Sequence, residues 1–265
     1  MSNKLPATYS PEPYLEAMSR ILIEVCVDSV ESALAAQAGG ADRVELCSAL
    51  GEGGLTPSPG LMEVTRAHLK IPIAVMIRPR PGDFCPSDLE FEIMRRDLLA
   101  MKERGADMVV FGLLHPDGTP DADRSRELIT LARPLPVTFH RAFDMTRDAR
   151  AALEVLIEIG CERVLTSGQE KSVLEGSDLI TELMRQAGDR ICIVPGGGIT
   201  ERNLPRILRD CPAREFHVSA SATRESRMEF RNTRVPMGRT LAPSEFSISM
   251  ADETRVRKFR ALASN

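Results

Sequence analysis

The chain has 265 residues, 43% of them hydrophobic, and a formal net charge of −4. That length and apolar content suit one large α/β domain with a sizeable core. No polybasic run stands out, aromatics make up 4% and Trp is absent, which argues against nucleic-acid binding; no apolar run approaches a membrane span.

Residues 1–20 carry three Pro and no clear period, so they read as a mobile arm without a signal-peptide core. From residue 21 the chain alternates. ILIEVCV (21–27) predicts a strand and SVESALAAQAGG a helix. RVELC (43–47) is the next strand and SPGLMEVTRAHL the next helix; IAVMIRP (73–79) precedes a helix from Asp88 to Arg104. MVVFGLL, VTFHRAF, RVLTSG, ICIVPG and EFHVSA continue the series. Eight apolar, β-branched runs separated by helical patterns predict βα units on a parallel sheet.

The series contains an internal repeat. G-A-D-R-V (40–44), G-A-D-M-V (105–109) and G-C-E-R-V (160–164) each join a helix C-terminal Gly to a strand start. They precede strands two, four and six. Strands three and five begin I-P-I and L-P-V, where Pro loses no ladder donor. Paired units of this kind predict a closed (β/α)8 TIM barrel over residues 21–265. No GxGxxG follows the first strand, which disfavours a dinucleotide fold. Residues 224–250 form an extended polar C-terminal connection with a few apolar anchors (Met228, Phe230, Met237, Phe246), and 252–263 a closing helix. A connection that long is expected to pack across the barrel or against a partner subunit.

Barrel active sites gather at strand C-termini, and side chains alternate in and out along each strand. That places Glu24, Cys26, Glu45, Cys47, Arg78, His140 and His217 inside. A lumen so charged must pair its groups or use them. Pairing predicts Glu24 and Glu45 neutralised by Arg78 and Arg141. Use predicts a metal-independent lyase, isomerase or hydrolase acting on a small phosphate- or carboxylate-bearing substrate. In that case His140 and a Glu move protons, Asp144 partners His140, and Arg78 or Arg141 pairs with the anion. Gly196, Gly197 and Gly198 leave N–H groups bare at a helix start and, with Ser219, form the candidate anion site. Residues 51–57 read as a flexible loop over the mouth with Glu52 at its tip.

The six cysteines show no CxxC spacing, and Cys26, Cys47, Cys161 and Cys192 sit in or beside apolar runs. They read as reduced thiols, which fits the cytosol. Cys26 and Cys47 end adjacent strands, so they are a soft Cu(I) site, a pair able to form a disulfide, or small fillers of a barrel layer.

EVCVDSVESALAAQAGGADRVELCSALGEGGLTPS, VMIRPRPGDF, PVTFHRAFDM, RVLTSG, PGGGI and EFHVSAS, with the tail segments FRNTRVPMG and SEFSIS, resemble the CutC family of copper homeostasis proteins, animal members most of all. The resemblance runs from about residue 21 to near the end. It implies a TIM barrel, a cytoplasmic and sometimes nuclear location, and a homo-oligomer, dimer or tetramer. It also implies Cu(I) binding by Cys26 and Cys47. Two positions depart from the family pattern RPRGGDF-x-Tyr: Pro81 replaces the first Gly and Pro86 stands at the Tyr. Pro81 fixes φ and removes a donor, which weakens any ligand contact through that backbone.

Overall fold

A computed structural model describes residues 20–232, 234–235 and 246–264. The N-terminal arm, apart from Arg20, and Met237 lie outside them. Eight parallel strands form the barrel: β1 Leu22–Val27, β2 Arg43–Leu46, β3 Ile73–Met76, β4 Met108–Phe111, β5 Val137–Phe139, β6 Arg163–Thr166, β7 Cys192–Pro195 and β8 Glu215–Val218. Each pairs with its sequence neighbour from β1 to β7, and β8 pairs with β1. A parallel bridge from Gly196 to His217 joins the end of β7 to β8 and closes the ring.

The helices are α1 Val30–Ala38, α2 Pro59–His68, α3 Asp88–Glu103, α4 Ala122–Ala132, α5 Ala149–Glu158, α6 Ser177–Ala187, α7 Leu204–Asp210 and α8 Glu253–Leu262. Their starts are written in the sequence. Ser29, Ser58, Asp121, Asp148 and Asp252 each accept a backbone N–H in the first turn, and Ser87 with Glu90 forms a full capping box. The repeat glycines Gly40, Gly105 and Gly160 all hold φ between 85° and 89°, the left-handed region that ends a helix.

The acidic residue of each repeat has a second task. Asp42 accepts from the Ile23 N–H, Asp107 from Ile73 and Glu162 from Val137, each at 2.8 Å. Each carboxylate thus satisfies a donor near the start of the preceding strand. Each also meets an arginine: Asp42 with Arg20 and Arg260, Asp107 with Arg66, Glu162 with Arg133.

Two stretches differ from expectation. VTFHRAF is not one strand: β5 stops at Phe139, and Arg141–Met145 form a 3-10 helix. His140 causes the switch, because its Nδ1 accepts the Ala142 N–H as an N-terminal cap. The segment 224–250 contributes strands at its two ends. β9 (Ser221–Glu225) and β10 (Ser247–Ala251) pair antiparallel beside the barrel mouth.

The main core fills the space between strands and helices, and α8 seals it. Val256 and Phe259 are fully buried. Gly39 permits this packing: a Cβ there would lie 2.5 Å from Val256 Cβ and 2.7 Å from Glu253 O. A separate small cluster of Cys47, Ala74, Met76, Met108 and Val110 fills part of the lumen.

Candidate functional site

The floor of the site is a buried ion network. Glu24 (β1) stands opposite Arg43 (β2) on one side and His217 (β8) on the other. Arg43 Nε donates to Glu24 Oε2 at 2.5 Å, and its Nη2 donates to Glu215 at 2.8 Å. Arg163 Nε reaches the same Glu215 at 3.2 Å. His217 Nδ1 donates to Glu24 Oε1 at 2.7 Å, and its Nε2 lies 3.9 Å from Glu45 Oε2. The expected pairing of Glu24 and Glu45 with Arg78 and Arg141 does not form; Arg43 and His217 take that part. Arg43 stands two residues before Glu45, so strand alternation turns it inward as well.

Electrostatics separates the two carboxyls. Burial alone raises Glu24, but Arg43 and His217 outweigh it and hold it well below the usual range. Burial raises Glu45, and His217 only partly offsets that. Burial also works against an imidazolium at His217, yet Glu45, Cys26 and Glu24 together hold its pKa well above the ordinary value.

Above this floor a cavity of about 460 Å3 opens at the strand C-termini. Cys26, Glu45, Arg78, His140, Arg141, His217 and Ser219 line it, with Ser249, Met250 and Ala251 of β10 as one wall. Cys47 lies behind the lining. It is fully buried, its thiol donates to Glu45 Oε2 at 3.5 Å, and a Cβ on Gly54 would come within 3.1 Å of its sulfur. Burial and the neighbouring Glu45 push the Cys47 thiol well above its ordinary pKa. Cys26 pairs in register with Glu45, two residues before Cys47, and both cysteines are free thiols.

Arg78 is held by backbone. Its Nη1 donates to the Glu52 and Gly54 carbonyls and its Nη2 to Gly82. The guanidinium sits 4.8 Å from the Phe84 ring centroid, and that ring is 5.0 Å from the His140 ring. Loop 51–57 is thereby tied down over the mouth. His140 is almost fully buried, and burial with the nearby Arg78 charge brings its pKa down to about 3. It is a neutral imidazole at pH 7. Its Nδ1 accepts a hydrogen bond, so the ring proton sits on Nε2.

Asp144 does not meet His140. It binds Arg141 Nε, the Thr166 hydroxyl and the backbone of Ser167 and Gln169. It thereby anchors the loop after β6. The three glycines stand outside the cavity lining. Gly196 packs against Leu165 and His217, Gly197 against Arg141 and Ser167, and Gly198 against Ser172.

One ligand atom from each of Glu24, Glu45 and His217 fits within a 4.8 Å cluster. These are hard or borderline donors. Both Glu24 oxygens are already engaged by Arg43 and His217. The soft donors at this end are the thiols of Cys26 and Cys47 and the thioethers of Met76 and Met250.

A parallel (β/α)8 barrel with an ionised floor and a polar cavity at the strand C-termini is a TIM-barrel protein with its candidate site where such barrels carry theirs. The CutC family model matches residues 21–222, and the chain belongs to that family. It is 55% identical over 249 residues to the human copper homeostasis protein cutC homolog, spanning 94% of this chain and 91% of that one. The mouse homolog is also 55% identical, over 242 residues, 91% of this chain and 89% of that one. A CutC structure from Streptococcus agalactiae superposes with a TM-score of 0.71 at 33% identity, covering 74% of this chain and 97% of that one.

Proposed function

We propose that this protein takes part in copper homeostasis by holding Cu(I) between the thiolates of Cys26 and Cys47. The observation that carries the reading is the pair of thiols at the ends of two hydrogen-bonded neighbouring strands, offset by two residues, with Cys26 open to the cavity. Two thiolates suit a soft monovalent ion better than the carboxylate–imidazole cluster beside them does. The copper homeostasis relatives agree with it in kind. Copper enters by the cavity and meets Cys26 first. Reaching Cys47 requires residues 48–57 to shift, since Gly54 covers that sulfur. Both thiols lose their protons on binding, so affinity falls as pH falls.

This reading places the protein in a reducing compartment, the cytoplasm with access to the nucleus, where the thiols stay reduced. It also takes the chain as a homo-oligomer, dimer or tetramer, with the exposed Met228 and Phe230 after β9 as contact residues. Light scattering that gives a monomer mass would remove that part. The metal assignment is tested by anaerobic Cu(I) titration against a competing chelator. Wild type should take one Cu(I) per chain, and the Cys26→Ser/Cys47→Ser variant none. Equal binding by both proteins would contradict the site.

A second reading is favoured by a separate observation: the ionisable side chains of Glu45, Arg78 and His140 and the hydroxyl of Ser219 converge on one cavity at the strand C-termini. In it, the barrel is a metal-independent enzyme of lyase, isomerase or hydrolase type acting on a small anion. Arg78 and Ser219 hold the anion, Arg141 stands at the rim, and Glu45 exchanges a proton with the substrate. His140 polarises it as a neutral donor. Stabilisation by phosphate, sulfate or small carboxylates in a thermal unfolding scan supports this reading; no effect from any of them removes it.

A further inference from the structure

The floor of the barrel mouth holds a set of metal donors apart from the thiols. Glu24, Glu45 and His217 each offer one ligand atom, and these atoms lie within 4.8 Å of one another. Strand pairing puts them there. Glu24 on β1 stands in register with His217 on β8, and Glu45 on β2 stands in register with Cys26, two residues beyond Glu24. All three side chains are nearly buried. Glu45 and His217 still line the cavity, so an ion can reach them from the mouth.

Their roles differ. Glu24 is committed: its Oε2 accepts from Arg43 Nε at 2.5 Å and its Oε1 from His217 Nδ1 at 2.7 Å. The second contact fixes the His217 ring and leaves Nε2 on the Glu45 side. Nε2 and Glu45 Oε2 are 3.9 Å apart. That is too long for a hydrogen bond. It matches two ligands that meet one ion from either side at about 2.0–2.2 Å each. The same carboxylate has more to give, because Glu45 Oε1 is buried and has no hydrogen-bond partner among the described residues. A carboxylate on one ring nitrogen of a histidine whose other nitrogen meets a metal is the usual orienting arrangement.

We propose that Glu45 and His217 bind a divalent ion of the zinc type, with Glu24 as the positioning residue behind His217. An imidazole and a carboxylate are borderline and hard donors, which suit zinc better than Cu(I); the nitrogen disfavours magnesium, which takes oxygen ligands. Two protein ligands leave the cavity side of the ion to water or a small molecule. Binding exchanges the Nε2 proton of His217 for the ion. This position is separate from the thiol pair, and the proposal rests on neither reading above.

The experiment is calorimetric titration with Zn(II), and separately with Mg(II), of the full chain carrying Cys26→Ser and Cys47→Ser, so that neither thiol at the mouth takes part. That protein should bind one Zn(II) per chain and Mg(II) far more weakly. Adding His217→Gln or Glu45→Gln should abolish Zn(II) binding while the thermal transition stays cooperative. Adding Glu24→Gln should weaken it by about tenfold to a hundredfold. No Zn(II) binding by the double cysteine variant overturns the proposal. Binding that survives both His217→Gln and Glu45→Gln overturns it as well, and so does equal affinity for Mg(II). Because these proteins lack the thiol pair, none of these results bears on the Cu(I) assignment.

Discussion

His140 and His217 line one cavity, and their surroundings shift their pKa values in opposite directions. His217 faces Glu24 and Glu45 and is held well above its ordinary pKa. A raised folded value means its contribution is fully present below the unfolded imidazole value of about 6.5. That contribution is lost as pH rises through the higher folded value. The stability gap between wild type and His217→Gln, read from urea unfolding, should therefore shrink on going from pH 6 to alkaline pH. His140 is lowered to about 3, so the unfolded chain binds the extra proton between about 3 and about 6.5. Its contribution is present above about 6.5 and is lost on acidification through that window. NMR should find the His140 ring still neutral at pH 5. Removing the cation between Glu24 and Glu215 is the severest change on the floor. Arg43→Met leaves Glu24 to His217 alone and Glu215 to Arg163 alone, and should cost about 3–5 kcal/mol in the same unfolding assay. Much of this layer is legible in the sequence, because alternation along β1, β2 and β8 turns Glu24, Arg43, Glu45 and His217 to one side. Arg43 stands two residues before Glu45, and that spacing alone marks it as an inward cation. The fate of Arg78 was not visible: its partners are carbonyls of two loops, and no side-chain pattern encodes them. His140 and Asp144 part because a 3-10 turn intervenes, and the cap that starts it is the His140 side chain itself.

Elements are held in register by the repeat carboxylates. Asp42 satisfies the Ile23 N–H and meets both Arg20 and Arg260. Asp42→Ala should destabilise the chain by about 1–3 kcal/mol, because it leaves a strand donor unpaired. Asp107→Ala and Glu162→Ala should act in the same direction, since they repeat the contact at β3 and β5. Equal stability of all three variants and wild type in chemical denaturation would show the contact to be incidental. Gly39→Ala tests the docking of α8 on α1. Its new methyl meets Val256 and the Glu253 carbonyl, and overpacking of this kind should cost about 1–3 kcal/mol in melting experiments. The eight strands and most helix starts were readable because period, caps and turn glycines are local signals. The ribbon of β9 and β10 was not. Its strands are short, polar and far apart in sequence, and only pairing across the barrel mouth makes them strands.

The whole molecule is a barrel whose mouth carries the thiols of Cys26 and Cys47, an ionised floor and the side chains of Arg78 and His140. The fold alone supports many chemistries, so the function has to be read from that mouth. The account's central claim is that Cys26 and Cys47 jointly hold Cu(I). The most direct test is copper K-edge X-ray absorption on protein loaded anaerobically with one Cu(I) per chain. The account predicts a first shell of two sulfur donors, reduced to one sulfur in Cys47→Ser. A shell of nitrogen and oxygen donors, or a spectrum unchanged by the Cys47→Ser substitution, would contradict it.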